Sequence, residues 1–248
     1  MVKKPTLNIC IPVYNEEAEL RTSVLTLATF LTHNLADFAW DITIIDNAST
    51  DKTFEIAKQL SRQTSRVNAF HLDMKGRGRA VKYAWRHSNH DIVAYLDVDL
   101  STDLKHLPPL VRSLTRGYDI AIGSRNARGS RVFGRNALRT ITSKAYMTLI
   151  KIMFFVHFSD AQCGFKAVTR RVVRDILPHI DDNEWFFDTE LLLISEKRGV
   201  RIYEEPVTWI DNPGSTVRVW KTALGDLKGL WRMYWTRPWR KIHSYARH

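Results

Sequence analysis

The chain has 248 residues, of which 44% are hydrophobic and 25% are charged, and these ordinary values exclude a collagen-like, low-complexity or disordered protein. Cys10 and Cys163 are its two cysteines, which excludes a disulfide-stapled scaffold and favours free thiols in a reducing compartment. The net charge of +11 at pH 7 favours polyanionic partners, namely phosphorylated substrates, anionic lipid or nucleic acid.

The first half of the chain alternates between short apolar runs and helical patterns. The apolar runs predict strands at residues 7–14, 41–46, 67–72, 92–96 and 120–122. Helices are expected between them, one of which begins near Asp51 and one at the glycines of residues 76–78. Strands that alternate with helices in this way predict an α/β fold with a mostly parallel sheet and helices on both faces.

The second half of the chain is richer in helical patterns. The predicted helices cover residues 136–156, 169–177, 188–198 and 221–236. A short strand at 165–168 and an extended segment at 200–210 separate them. The last helix is amphipathic, with Trp231 and Tyr234 on one face, and Pro238 should end it.

Polar clusters follow four of the predicted strands, at residues 12–16, 46–51, 97–99 and 123–125. Because ligands of open α/β sheets bind beyond the carboxyl ends of the strands, four clusters on one edge indicate a binding site. Asp97 and Asp99 flank Val98 at such a strand end. Two carboxylates in this arrangement can share a divalent cation with substrate phosphates, and an ordinary loop start is the alternative.

Two further features suit a nucleotide. Residues 75–79, Lys-Gly-Arg-Gly-Arg, form a basic helix start whose N–H groups and cations suit a pyrophosphate, with a solvated turn as the alternative. Asp46 ends a buried strand, and an ionised carboxylate only accepts hydrogen bonds. It could therefore bind the imide N–H of a uracil ring or a ribose hydroxyl, unless it caps the helix that follows.

These motifs occur together in a known enzyme family. The chain resembles the family 2 glycosyltransferases of the GT-A fold in residues 12–16 (Pro-Val-Tyr-Asn-Glu), 45–51 (Ile-Asp-Asn-Ala-Ser-Thr-Asp), 75–78 and 97–99. It resembles the polyprenyl- and dolichyl-phosphate sugar synthases in residues 123–125 (Gly-Ser-Arg), 160–166 (Asp-Ala-Gln-Cys-Gly-Phe-Lys) and 185–191 (Trp-Phe-Phe-Asp-Thr-Glu-Leu). Within that branch it is most similar to the dolichyl-phosphate β-glucosyltransferase type.

The resemblance implies an activity and a role for each matching position. It implies a transferase that inverts the anomeric centre, with Mg²⁺ or Mn²⁺ held by Asp97 and Asp99 and with Asp99 and Asp188 as catalytic residues. The donor, expected to be UDP-glucose, would be bound by Pro12, Tyr14, Glu16, Asp46, Lys75, Gly76, Arg77, Asp97 and Asp99. The phosphate of the acceptor lipid would be bound by Arg125, Arg131 and Gln162.

Three residues depart from the pattern of the family. Asn47 replaces a second carboxylate, Ala161 replaces a threonine and Arg79 stands where a small residue is typical. Because Asn47 and Arg79 lie in donor-binding motifs, GDP and sugars other than glucose stay open as alternatives.

The acceptor determines whether the reaction needs a base. A phosphate monoester is mostly a dianion at pH 7 and can attack unaided, but cations must hold it. The five arginines between residues 125 and 139 favour this acceptor over a merely solvated basic loop. A hydroxyl acceptor would need a carboxylate base, for which Asp188 and Glu190 are the candidates. A non-catalytic basic module that binds nucleic acid or anionic lipid is a third hypothesis, but it leaves the strand-end clusters unexplained.

The resemblance also suggests how the chain is divided. Residues 1–125 are expected to bind the nucleotide sugar and 126–220 the acceptor within one GT-A domain, followed by a basic aromatic tail at 221–248. Trp231 and Trp235 lie among lysines and arginines in that tail, which indicates an anchor at a lipid surface; a helix that completes the core is the alternative.

Location and partners follow from the same observations. The chain has no run of ~20 apolar residues and no signal peptide, so it is expected to be cytoplasmic and peripheral on the inner face of a membrane. The expected partners are a nucleoside-diphosphate sugar, a polyprenyl or dolichyl phosphate and the membrane surface. A separate integral membrane partner stays open, and nucleic acid is not expected.

Overall fold

The computed structural model describes residues 4–211 and 219–242. Its strands are β1 Thr6–Val13, β2 Ala39–Asn47, β3 Val67–Leu72, β4 Ile92–Leu96, β5 Ile120–Ser124, β6 Arg131–Phe133, β7 Phe165–Thr169, β8 Ile202–Pro206 and β9 Thr208–Ile210. Its helices are α1 Leu20–Asn34, α2 Thr53–Gln63, α3 Arg77–His87, α4 Leu107–Thr115, α5 Ala137–Phe154, α6 Arg170–Asp175, α7 Phe187–Lys197 and α8 Val219–Thr236.

Seven strands form the central sheet in the order β3-β2-β1-β4-β7-β5-β8. β7 is antiparallel to both neighbours and the other pairs are parallel, which confirms the predicted mostly parallel sheet. Because β7 runs in the opposite direction, its first residue, Phe165, pairs with Leu96 at the end of β4. The loop that enters β7 therefore reaches the edge where β1, β2 and β4 end. β6 and β9 form a separate pair.

Helices cover both faces of the sheet, and the alternation of side chains along the strands supplies one apolar layer to each face. In β1, Ile9 and Ile11 join one layer and Cys10 joins the other. Leu20 and Leu27 of α1 pack on the first layer, and Trp85 of α3 packs on the second. Each of these side chains is fully buried, and burial of such a side chain stabilises the fold by ~1.5–3 kcal/mol.

The predicted elements are present with small differences in their ends, and two regions differ more. The extended segment at 200–210 is divided into β8 and β9, which belong to different sheets. The division falls at Val207, whose N–H donates to the carbonyl of Ser124 at the end of β5. Helix α4 was not predicted, because the sequence pattern is interrupted by Pro108 and Pro109. Both prolines lie in the first turn of the helix, where proline is tolerated.

Strands from both predicted halves of the chain, residues 1–125 and 126–220, belong to the same seven-stranded sheet. Helix α8 begins at Val219, just before the predicted tail, and buries Leu230 and Met233 in the layer that also contains residues of α5 and α7. Over the described residues, none of the helices combines the length and the apolar character that crossing a bilayer requires.

Candidate active site

A cleft of about 1120 Å³ lies at the carboxyl edge of the sheet. Among the residues predicted from the sequence, it is lined by Pro12, Tyr14, Glu16, Lys75, Gly76, Arg77, Asp97, Asp99 and Gln162. The structure adds residues that were not predicted to form the site, chiefly Asn47, Arg135, Arg139, Tyr146, Trp185, Trp209, Asp211 and Asp226. Four predicted residues are not in its lining: Asp46, Arg125, Arg131 and Asp188.

Acidic side chains concentrate where β1 and β4 end. Asp99 is exposed in the cleft, and Asp97 and Glu16 are partly buried beside it. Burial, together with the charges of Glu19, Asp99, Asp51 and Asp97, raises the pKa of Glu16 to about 7. A divalent cation would relieve this excess of negative charge, so the donor set fits the predicted metal. In the described part of the chain, no three His, Cys, Asp or Glu side chains are grouped closely enough to hold an ion by themselves.

Arg77 holds Asp97 in place from beneath. Its Nη2 donates to Asp97 Oδ1 at 2.7 Å, and its Nη1 lies 3.9 Å from Asp188 Oδ2. The Trp185 ring stacks on the guanidinium at 4.8 Å. A Cβ added at Gly164 would collide with both Asp97 and Arg77, so the glycine is what lets the loop before β7 pack against this ion pair. Arg77 was predicted to lie near the donor phosphates, but in the structure its guanidinium is paired with these carboxylates.

A second buried ion pair supports the first. Lys166 Nζ lies 3.0 Å from Asp188 Oδ1 and donates to the Cys163 carbonyl at 2.5 Å. The Tyr95 hydroxyl also donates to Asp188. Since Asp188 is 1% exposed and has three partners, the structure places it under the cleft floor and not against a substrate. Its predicted catalytic role stays a prediction, and the geometry favours a positioning role.

The predicted nucleotide side is formed by β1, β2 and the start of α3. Lys75 Nζ lies 3.2 Å from the centre of the Tyr14 ring, and the hydrogen bond from Lys75 lowers the pKa of that phenol. Asp46 is fully buried, with His71 Nδ1 at 2.6 Å from its Oδ2, while its Oδ1 has no hydrogen-bond partner among the described residues. Next to it, Asn47 lines the cleft and its Oδ1 is likewise without a partner in the described structure.

The arginines predicted to bind the acceptor phosphate are placed differently from the expectation. Arg125 is largely but not fully buried and donates to both carboxylate oxygens of Asp160, at 2.7 and 2.9 Å. Burial alone would raise the pKa of Asp160, but Arg125 lowers it to about 2. Arg131 is exposed on β6. Neither guanidinium lines the cleft, because the first is neutralised inside the protein and the second points to solvent.

Two other arginines line the cleft instead. Arg139, in the first turn of α5, donates a hydrogen bond from Nη1 to each carboxylate oxygen of Asp211, both at 3.2 Å. Arg135 lies 5.9 Å from the Trp209 ring and has no carboxylate partner among the described residues. Burial and the neighbouring Arg125 lower the pKa of Arg135, while the charges of Asp160 and Asp211 act in the opposite direction. Arg135 precedes Asn136, the N-cap of α5, so the two arginines flank the start of that helix. The available sequence signal was the group of five arginines between residues 125 and 139.

The last wall of the cleft comes from α8. Gln162 Nε2 donates to Asp226 Oδ2 at 2.6 Å, and both residues line the cleft. Glu190, a candidate base in the sequence, is fully buried and accepts two hydrogen bonds of 2.9 Å from Arg232 of α8. No motif marks Asp226, because its position depends on how α8 packs and not on a local pattern.

Three proteins of known name show what the chain resembles in sequence. The dolichyl-phosphate β-glucosyltransferase ALG5A of Trichomonas vaginalis is 30% identical over 222 residues, 86% of this chain and 68% of that protein. The glycosyltransferase AglD of Haloferax volcanii is 34% identical over 92% of this chain, and ALG5C of Trichomonas vaginalis is 27% identical over 84% of it. The chain spans 37% of the length of AglD and 65% of that of ALG5C.

The fold has a solved counterpart at low sequence identity. Glucosyl-3-phosphoglycerate synthase of Mycobacterium tuberculosis, crystallised with Mn²⁺, UDP-glucose and phosphoglyceric acid, matches with a TM-score of 0.68 over 93% of this chain and 79% of its own. At 16% identity the match confirms the predicted GT-A fold and nothing finer. The profile of the family described as glycosyl transferase family 2 matches residues 8–177. This range contains the ends of β1 and β4, where the acidic side chains of the cleft concentrate. The chain therefore belongs to glycosyl transferase family 2.

Proposed function

We propose that this chain is a metal-dependent glycosyltransferase that moves a sugar, expected to be glucose, from a UDP-sugar to a polyprenyl or dolichyl phosphate at a membrane surface. The observation that carries the proposal is the separation of charge along one cleft. Carboxylates concentrate where β1 and β4 end, and the same cleft is lined near the start of α5 by Arg139 and by Arg135, which has no carboxylate partner among the described residues. The acidic end suits a metal-bound diphosphate and the basic end suits a second phosphate.

The acidic end fits a donor diphosphate. Asp97 and Asp99 would hold the cation, which would offset the charge that develops on the leaving nucleoside diphosphate. Arg77 fixes the Asp97 carboxylate, so the ligand is preorganised before the donor arrives. Tyr14 and Lys75 offer a ring and a cation on the nucleotide side, and the free Oδ1 of Asn47 offers an acceptor there. The solved counterpart was crystallised with Mn²⁺ and UDP-glucose, which supports the same donor class here.

The basic end favours a phosphate over a hydroxyl acceptor. The dianion needs no base, and Arg135 and Arg139 would hold it through charge-assisted hydrogen bonds. Asp188 and Glu190, the bases that a hydroxyl acceptor was predicted to use, are both buried in ion pairs. Attack from the face opposite the diphosphate would invert the anomeric centre. The names of the relatives in Trichomonas vaginalis support the lipid phosphate and the glucosyl group.

An apolar surface next to the basic end suits the lipid. Leu149 of α5 and Leu227 of α8 line the cleft, and Leu227 is also exposed. Beyond them, large apolar side chains of the two helices face solvent, including Ile141, Ile152, Phe155, Leu224, Trp231 and Trp235. Lysines accompany these side chains on both helices. A lipid tail could leave the cleft along this surface and enter a bilayer, so the surface supports peripheral membrane binding.

A transfer assay with product identification by mass spectrometry tests the proposal. Purified protein receives a short polyprenyl phosphate, Mg²⁺ or Mn²⁺, and a panel of UDP- and GDP-sugars. We expect one UDP-sugar to give a lipid-phosphate sugar, and we expect chelation of the metal with EDTA to abolish the product. Transfer that is unaffected by EDTA, or a product formed only with non-lipid acceptors, would contradict the proposal.

A further inference from the structure

The proposed function assigns no role to one carboxyl group of the cleft, that of Asp226. Asp226 of α8 is 5% exposed, and its Oδ2 accepts the amide of Gln162 at 2.6 Å. Its Oδ1 is buried and has no hydrogen-bond partner in the described part of the chain, although the residue lines the cleft. A buried polar atom without a partner is costly, so a ligand that supplies a donor at this point would be bound favourably.

The position of Asp226 is fixed by strong contacts of the same helix. Arg232, less than two turns further along α8, donates to Glu190 with two hydrogen bonds of 2.9 Å and to Asp181 at 3.0 Å. Gly229 lies against the Phe186 ring so closely that an added Cβ would overlap it. Because these contacts dock the part of α8 that directly follows Asp226, the carboxyl is held at the cleft wall.

The chemistry of the cleft restricts what can meet the free Oδ1 of Asp226. A phosphate or diphosphate offers acceptor oxygens and negative charge, which a carboxylate repels, whereas a hydroxyl group can donate to it. Burial, together with the charges of Asp182 and Asp188, raises the pKa of Asp226 to about 7, so above neutral pH the ionised group accepts from a hydroxyl and repels a phosphate. A hydroxyl-bearing ligand is therefore the favoured class.

The topology indicates which hydroxyls are within reach. Gln162 lies in the loop before β7, and β7 is the neighbour of β4 on the side away from β1 and β2. In the proposed function the base and ribose would lie on the β1 and β2 side, and the acceptor phosphate would lie at Arg135 and Arg139 of the same cleft. The transferred sugar would then lie between these two ends, at the level of the loop before β7.

We propose that Asp226, oriented by Gln162, binds a hydroxyl group of the transferred sugar and determines which sugars the enzyme accepts. This inference rests on the proposed function, because it requires a nucleotide-sugar donor. It assigns sugar recognition to the helix that also carries the apolar surface.

Kinetics with altered donors test the proposal. The kcat/KM is measured for the preferred UDP-sugar and for each of its monodeoxy analogues, with wild type, Asp226→Ala and Asp226→Asn. We expect wild type to lose ~10–100-fold with one particular deoxy analogue, and Asp226→Ala to lose a similar factor with the parent sugar but nothing further with that analogue. Asp226→Asn keeps an acceptor oxygen and the packing of α8, and should discriminate at an intermediate level.

Asp211→Asn is the matched control, since it alters another carboxylate of the cleft that is already paired with Arg139. It should lower the rate with all donors by one common factor. If Asp226→Asn folds and discriminates among the deoxy analogues as wild type does, the inference is overturned while the proposed function stands. A uniform loss with all donors would overturn it as well and would indicate a base for a hydroxyl acceptor. Failure of wild type to use any nucleotide sugar would overturn the proposed function itself.

Discussion

The two walls of the cleft are built in different ways. The donor wall consists of the ends of β1, β2 and β4, so a few contiguous stretches of sequence are aligned by the parallel register of the sheet. The acceptor wall is assembled from α5, α8, β9 and the loop before β7, which are far apart in the chain. Backbone pairing aligns the strand ends of the first wall, and the ion pairs of Arg77 with Asp97 and of Lys166 with Asp188 support them from behind. The second wall depends on side-chain packing and on the ion pair of Arg232 with Glu190 that docks α8. This difference predicts that changes in the donor wall affect chemistry with little effect on folding, and that several changes behind the cleft do the reverse.

The largest effect is expected at Asp99. Asp99→Ala should lower the transfer rate by ~10³-fold or more, because it removes an electrostatic group that stabilises the leaving diphosphate. The side chain is exposed, so the thermal midpoint of unfolding should hardly change. The matched control is Glu55→Ala, an exposed carboxylate of α2 outside the cleft, which should keep wild-type turnover. If Asp99→Ala transferred the sugar at the wild-type rate, the donor wall would have no role in stabilising the leaving diphosphate.

The next effect concerns stability beneath the cleft. Asp188→Ala leaves the buried Lys166 without its ion-pair partner, and loss of one partner of such a pair costs ~3–5 kcal/mol. We expect the free energy of unfolding, measured with urea, to fall by about this amount. Asp188→Leu combined with Lys166→Met should recover part of it, because no unpaired charge then remains. A variant at Asp188 with unchanged stability and no transfer would instead support the catalytic role predicted from the sequence.

A smaller effect is expected across the cleft. Arg135→Gln should raise the KM for the lipid phosphate by ~10-fold, since it removes a charge-assisted hydrogen bond to the phosphate, and it should leave the KM for the donor unchanged. Arg131→Gln, in the exposed strand β6, should change the acceptor KM by ~2-fold or less. Steady-state kinetics with both substrates varied separate the two. A larger rise in the acceptor KM for Arg131→Gln than for Arg135→Gln would support the prediction from the sequence that Arg131 binds the acceptor phosphate.

The smallest effect is a dependence of metal affinity on pH. The folded-state pKa of Glu16 is about 7, raised above its ordinary value, so the carboxyl is neutral below pH 7 and ionised above it. A cation prefers the ionised form, and the affinity for Mn²⁺ should therefore rise several-fold between pH 6 and pH 8. Calorimetric titration of the apoprotein measures it. Glu16→Gln should flatten the dependence, and an unaltered slope in that variant would assign the titration to another group.

The contrast between the walls also explains what the sequence could predict. Asp97 and Asp99 line the cleft because a strand end fixes both the backbone and the direction of neighbouring residues, which a sequence motif can indicate. Arg125 does not line it, because it is paired with the buried Asp160, and a sequence shows the cation but not this partner. Asp226 carried no signal, since only the packing of α8 brings it beside Gln162.

A comparison of two acceptors tests the central claim, that the basic end of the cleft replaces a catalytic base by binding a phosphate. Polyprenyl phosphate and the polyprenol of the same chain length are offered separately with UDP-glucose and Mg²⁺, and the glycolipid products are identified by mass spectrometry. The account predicts transfer to the phosphate, sensitive to Arg135→Gln, and no transfer to the alcohol. Transfer to the polyprenol at a comparable rate would contradict it.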